Sequence, residues 1–280
     1  LLIDQVMWPD QPLGRDVGGS KESVQGISRP MLVDYHQRQY SSGNIAIIVA
    51  GNIQPQQVID SISRYFRNWN NHKPGTLFPK QDNQAEPRFA IETRDTEQAH
   101  LCLGFKGVSY SDPDAYPMQL LATLLGEGMS SRLFLQLREI QGLAYDVHTS
   151  STNLNDCGSL ITYAGVEPRN TAKAIQSILY QHHLIKESLT EVELHKCKEF
   201  LKGRLMLRME DSRNVAHWIG TQEILTGHID TIEETVRRID SVTPEQVMAI
   251  ARKTLVTSKL NLAIVGPEGD YTGLSETLTL

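Results

Sequence analysis

At 280 residues, with 40% hydrophobic and 21% charged residues, the chain has the profile of an ordinary globular protein with room for one or two domains. A net charge of −6 without any basic stripe argues against nucleic acid as a main partner. No apolar run reaches the roughly 18 residues that suggest a membrane span. Cys102, Cys157 and Cys197 are few and scattered, so they read as free thiols in a reducing compartment, which favours a soluble, cytoplasmic setting.

In chain order, residues 21–53 (KESVQGISRPMLVDYHQRQYSSGNIAIIVAGNI) read as a capped helix, a loop and an apolar strand from Ile45 to Val49 ending at Gly51. The polar stretch 70–87, which includes Pro74, Pro79 and Pro87, reads as a linker. Residues 88–108 alternate as two strands joined by a turn. Asp112 and Pro113 are expected to cap a helix through about Leu125, which GEGMSS at 126–131 then breaks. Ser130 or Ser131 is placed to cap the next helix, RLFLQLREIQ, and this explains the two glycines more cheaply than a phosphate cradle. Strands are expected near 144–151 and 158–166, and helices over 170–188 and 190–210, the second opened by a Thr190/Glu193 capping box. A later helix opens with Thr243-Pro244-Glu245-Gln246, a capping box with proline at the first helical position,. A closing strand from Leu260 to Val265 ends at Gly266.

Residues 21–53 and 233–268 run through the same order of cap, helix, strand and terminal glycine. Their offset is about 215 residues, comparing Gly51 with Gly266, so the counterpart of residue 86 would fall roughly 130 residues before Leu1,. The expected organisation is therefore α+β: duplicated αβ lobes with mostly antiparallel sheets and helices packed on one face. Residues 1–69 form the C-terminal part of an incomplete first lobe, 70–87 a linker, and 88–280 a complete second lobe.

The search for chemistry is mostly negative. The nine histidines include no pair four apart, the usual spacing of a helical zinc chelate. His195 shares a helical face with Glu191 and Glu199, but Lys196 and Lys198 flank it, the pattern of a solvated charged face. There is no G-x-S-x-G elbow, and Cys157 has no histidine near it in sequence. What remains is Arg138 near a helix end and Tyr145 near a strand start. An arginine suits the negative end of a helix dipole and a tyrosine packs well at a strand edge. The same two donors would also suit a peptide carbonyl gaining negative charge. Residue type alone leaves both readings open.

Four separated stretches carry a resemblance: MWPDQPLGRDVGGSKESV (7–24), YSSGNIAIIVAGN (40–52), SSRLFLQLREIQGLAYDVHTS (130–150) and GSLITYAGVEP (158–168). Together they resemble the pitrilysin/insulinase family, nearest to bacterial relatives of the mitochondrial processing peptidase. The resemblance implies a zinc metalloendopeptidase of two similar αβ lobes that pairs with a second two-lobed subunit or a homodimer mate. It places the inverted H-x-x-E-H motif and a third glutamate ligand in the first lobe, upstream of LLIDQVMWPD. No zinc is therefore expected on this chain, and Asp4 and Asp10 are not ligands in its stead. It implies that Arg138 and Tyr145 are the catalytic contribution, holding substrate and stabilising the tetrahedral intermediate over the zinc of an opposing lobe. Ile140 and Gln141 depart from a basic pair common there. The alternative is a non-catalytic partner, or a structural core subunit of a peptidase-like complex.

Overall fold

The computed structural model describes residues 2–69, 71, 75, 77–269, 271, 274 and 278–280. The helices are α1 (Leu2–Met7), α2 (Lys21–Gly26), α3 (Arg29–Gln39), α4 (Pro55–Tyr65), α5 (Ala115–Gly126), α6 (Thr171–Glu187), α7 (Glu191–Arg208), α8 (Ser212–Thr226), α9 (Ile232–Ser241) and α10 (Pro244–Thr254). The strands are β1 (Arg88–Thr93), β2 (Ala99–Gly107), β3 (Ala144–Asn153), β4 (Gly158–Val166) and β5 (Asn261–Gly266), and a π-helical segment spans Phe134–Ile140. The fold class is α+β. None of the described helices is long and apolar enough to cross a membrane.

One compact unit comprises Leu1–Arg15, Lys80–Gly203 and Thr231–Leu280. Its sheet has the order β1-β5-β2-β4-β3. Only the β1–β5 ladder is parallel; β5–β2, β2–β4 and β4–β3 are antiparallel. Burial alternates with the pleat. Leu101, Leu103 and Phe105 of β2 join Leu262 and Ile264 of β5 in a core closed by α5, α6 and α10. Each such side chain stabilises the fold by about 1.5–3 kcal/mol relative to exposure. The intervening residues face the other way, where α1 sets Ile3, Met7 and Trp8 against Cys102, Ile161 and Ala263. A Cβ at Gly104 would lie 2.7 Å from Met7 Sδ, so glycine admits this helix. The sheet thus carries a short helix on its second face, beyond the one-faced packing expected from the sequence.

Asp16–Pro79 and Arg204–Asp230 form the other compact unit. Helices α2, α3 and α4 bury none of their residues, while Met31, Leu32, Ile59 and Phe66 are exposed. The compact units are drawn differently from the expected lobes: residues 1–15 pack with the sheet, and 204–230 group with 16–79.

Local expectations fare unevenly. Both capping boxes form: Thr243 Oγ1 accepts from Gln246 N–H (3.4 Å) and Thr190 Oγ1 from Glu193 N–H (3.2 Å). The expected strand at Ile45–Val49 is a correction. Ile45 is extended (φ −133°, ψ 134°), but no described strand pairs with 45–50, and an extended segment without a ladder is not a strand. Helix α5 begins at Ala115, beyond Asp112 and Pro113, whose Asp112 carboxylate accepts from Asp114 N–H (2.8 Å) in the turn before it.

Candidate functional site

The stretch from Ser131 to Val147 departs from regular geometry twice, once near each predicted site residue. Leu133 and Leu137 are fully buried and anchor one side of the helix. Between and beyond them the turns widen. Gln141 N–H donates to Gln136 C=O (3.0 Å), a five-residue step, and Leu143 N–H donates to Leu137 C=O (2.7 Å). Single wide turns of this kind occur often at functional sites. Gly142 then takes φ +60°, a left-handed conformation that costs glycine little and other residues more. Leu143 is buried, so the chain is pinned on both sides of the reversal.

Arg138 lies in the π-helical turn, just after the Leu137 anchor, with about half of its side chain exposed. Its guanidinium carbon sits 5.0 Å from the Phe134 ring centroid and its Nε 3.9 Å from Glu139 Oε1. The cation–π contact holds the stem over the ring; the long ion pair in water adds little. The guanidinium has donors left for a ligand.

Tyr145 occupies a β-bulge. Ala144 pairs with Val166 and Asp146 with Gly165, so Tyr145 is the extra residue of β3. Without the bulge, Tyr145 and Asp146 would point to opposite faces; with it both are exposed, while Ala144, Val147 and Thr149 stay in the core. Bulges re-aim side chains in this way, often beside active sites. Tyr145 is 62% exposed. Its ring is thus not the packed residue that the structural reading of the sequence required. Arg138 and Tyr145 are both turned outward at the two ends of one eight-residue segment, and no hydrogen bond joins them.

The remaining candidates are placed as follows. His195 is exposed and 4.0 Å from Glu199, which pairs more closely with Lys202 (2.6 Å). Among the described residues no three His, Cys, Asp or Glu side chains gather as a metal site. Burial pushes the Cys157 and Cys197 thiols up to about 11, away from nucleophilic use. The expected cap from Ser131 is a correction: its buried Oγ makes no hydrogen bond. The helix instead starts from a turn in which Ser131 N–H donates to Gly128 C=O (3.2 Å), with Gly128 at φ +82°.

Beside Tyr145 lies a polar network that the sequence reading missed. Asp146 Oδ2 is 3.4 Å from His148 Nδ1, and Tyr163 Oη is 2.8 Å from His100 Nδ1. The sequence carried no distinct signal for it, because β3 is polar through most of its length, from His148 to Asn153 as well as at Tyr145-Asp146. On the core side, His182 is fully buried, and desolvation lowers its pKa to about 3. Thr162 Oγ1 lies 3.3 Å from His182 Nε2 and 2.9 Å from Thr149 Oγ1.

Residues 26–201 match the family described as Peptidase M16 inactive domain. A protein of Mycobacterium tuberculosis (strain H37Rv) named an uncharacterized zinc protease is 31% identical over 97% of this chain and 63% of its own length. One of Bacillus subtilis (strain 168) with the same description, YmxG, is 31% identical over 96% of this chain and 65% of its length. The fold is similar to that of a protease from Helicobacter pylori (TM-score 0.88, 20% identity, 95% of this chain and 65% of that one). It is also similar to a peptidase M16 inactive domain from Pseudomonas fluorescens (TM-score 0.85, 20% identity, 96% and 64%). The chain spans less than two thirds of the length of these relatives. With the family match covering most of its residues, the chain belongs to the M16 peptidase family.

Proposed function

We propose that this chain is the C-terminal portion of a zinc-dependent metalloendopeptidase that cleaves extended peptides, of the branch that includes bacterial relatives of the mitochondrial processing peptidase. In this reading the zinc and its ligands lie on residues outside the chain, since the described residues do not fit a metal. Residues 1–69 are the tail of the first lobe, 70–87 the linker and 88–280 the second lobe. The active assembly pairs this unit with a second two-lobed subunit or a homodimer mate.

The role of the chain is electrostatic. The Tyr145 hydroxyl donates to the carbonyl oxygen of the scissile bond as negative charge builds on it, and Arg138 holds neighbouring carbonyls and the same developing charge. Both act as fixed donors and neither transfers a proton. The observation that carries the reading is the pair of backbone irregularities, π-helix and bulge, that turn both donors out of the core. The named zinc proteases among the relatives support it; the alternative of a structural core subunit leaves those devices without a use. The test is hydrolysis of an internally quenched peptide library by a protein extended to the relatives' length. Cleavage abolished by a chelator and restored by zinc is expected, and a zinc-free, inactive protein would reject the proposal.

A further inference from the structure

A groove of about 370 Å³ separates the helix that carries the π-turn from α6. Arg132, Leu135 and Gln136 line one wall, and Gln181, Leu184 and Ser188 line the other. Two side-chain bridges tie the walls together. Arg132 Nη2 donates to Ser188 C=O (2.8 Å), and Gln141 Nε2 donates to Ser177 Oγ (3.0 Å). Residue numbers rise along one wall as they fall along the other, so the helices are antiparallel and the groove lies between the bridges. Closure at both ends suits a compact occupant rather than a chain running through.

Gln181 is the anomaly in this wall. It belongs to the stripe Ser177, Gln181, Leu184 and Ser188, which helical spacing places on one side of α6,. Gln181 is only 6% exposed, yet its carboxamide has no hydrogen-bond partner among the described residues. A nearly buried amide left unpaired is destabilising, and this one lines the groove. The charges there are already matched. Arg132 meets Glu193 twice, Nε to Oε1 at 3.0 Å and Nη2 to Oε2 at 3.1 Å. An anion therefore finds its cation taken, and a cation would have to displace Arg132 from Glu193. Leu135 and Leu184 add one apolar surface on each wall. These features select a neutral ligand with both a hydrogen-bonding amide and an apolar group.

We propose that this groove binds a small neutral molecule carrying an amide beside a branched apolar group. Gln181 pairs reciprocally with that amide, each giving one N–H and accepting another, while Leu135 and Leu184 cover the apolar group. The site does not depend on the peptidase reading. It shares a helix with Arg138, but none of its lining residues belongs to the proposed catalytic pair.

The test titrates the full chain, isotope-labelled at glutamine, with N-acetyl-leucinamide and follows the side-chain amide resonances. Saturable shifts of the Gln181 and Gln136 amides are expected, with a Kd of about 1–10 mM for a ligand of this size. N-acetyl-leucine, which is anionic, and leucinamide, which is cationic, should each bind about three- to tenfold more weakly. N-acetyl-glycinamide, which lacks the apolar group, should also bind about three- to tenfold more weakly. Gln181→Leu keeps the bulk and removes the unpaired amide. Its melting temperature should equal or exceed that of wild type, while binding, read from Gln136, falls about three- to tenfold. Leu135→Ala alters a side chain that is 42% exposed, so the fold is retained, and it should weaken binding as well. A longer capped peptide with the same central leucine should bind less tightly than N-acetyl-leucinamide; tighter binding would overturn the assignment of a compact ligand. Absence of a saturable shift, equal affinity for the charged analogues, or binding unchanged in Gln181→Leu and Leu135→Ala would overturn the site.

Discussion

Acidification should destabilise the sheet unit through His182 before its carboxylates respond. This imidazole is fully buried beneath the sheet, with its ring edge-on to Phe105 (5.6 Å) and Nδ1 without a hydrogen-bond partner. Desolvation, with a smaller contribution from Lys186, depresses its pKa from 6.5 to about 3. The folded state therefore holds the neutral ring while the unfolded state takes up a proton as pH falls below 6.5. The stability it contributes is complete above that value and is lost between pH 6.5 and about 3. At 1.36 kcal/mol per unit, the loss is roughly 2 kcal/mol by pH 5, and about 5 kcal/mol is an upper bound across the window. The carboxylate of Glu193, held low by Arg132 despite its burial, gives up its share only at lower pH. His182→Leu keeps a similar volume, removes the titrating group and leaves Thr162 its Thr149 partner. Urea unfolding of wild type and variant at pH 7.5, 6.5 and 5 should show the wild type losing roughly 2 kcal/mol more than the variant as pH falls to 5. Parallel losses in the two proteins would refute the assignment of a buried neutral imidazole.

Other consequences follow from the same packing. Gly126 ends α5 against β3, where a Cβ would lie 2.2 Å from Thr149 N and 2.8 Å from the His148 carbonyl carbon. Gly126→Ala should cost about 1–3 kcal/mol by pushing helix from strand, and thermal melting at or above the wild-type temperature would contradict that close approach. Dialysed against trace zinc, the chain should retain less than one equivalent by elemental analysis; a tightly held equivalent lost in His195→Ala would reverse the reading of α7 as a solvated charged face.

Much of the architecture was legible because it follows from short-range rules. The Thr190/Glu193 and Thr243/Gln246 boxes form as read, and the strands around 144–151 and 158–166 follow the period-two burial of a half-covered sheet except at the Tyr145 bulge and over the buried end Ala164–Val166. What escaped depends on partners distant in sequence. Ile45–Val49 has strand composition but no described ladder. Met7 and Trp8 find the second face of the sheet because Gly104 leaves room there, a fact invisible until β2 and α1 are juxtaposed. His182 faces the core while its neighbour His183 pairs with Glu187 (3.1 Å) in solvent, a division set by which side of α6 meets the sheet. The candidate site divides in the same way. Arg138 and Tyr145 were visible as residue types at a helix end and a strand start, whereas the π-turn and the bulge that aim them outward are outcomes of register. That register is set by Leu137 and Leu143 on one side and by Ala144 and Val147 on the other.

Turnover by Tyr145→Phe in the protein extended to its relatives' length tests the central claim most directly, with Arg138→Ala alongside. The ring of Tyr145 is mostly exposed, so loss of its hydroxyl should leave the melting temperature and zinc content near wild type. Loss of one oxyanion donor should lower kcat by about 10²–10³, and Arg138→Ala should lower kcat and also raise KM if its guanidinium holds ground-state carbonyls. Unchanged turnover in both variants, or a large fall in melting temperature with Tyr145→Phe, would contradict the catalytic role and leave a helix-end arginine and a structural tyrosine.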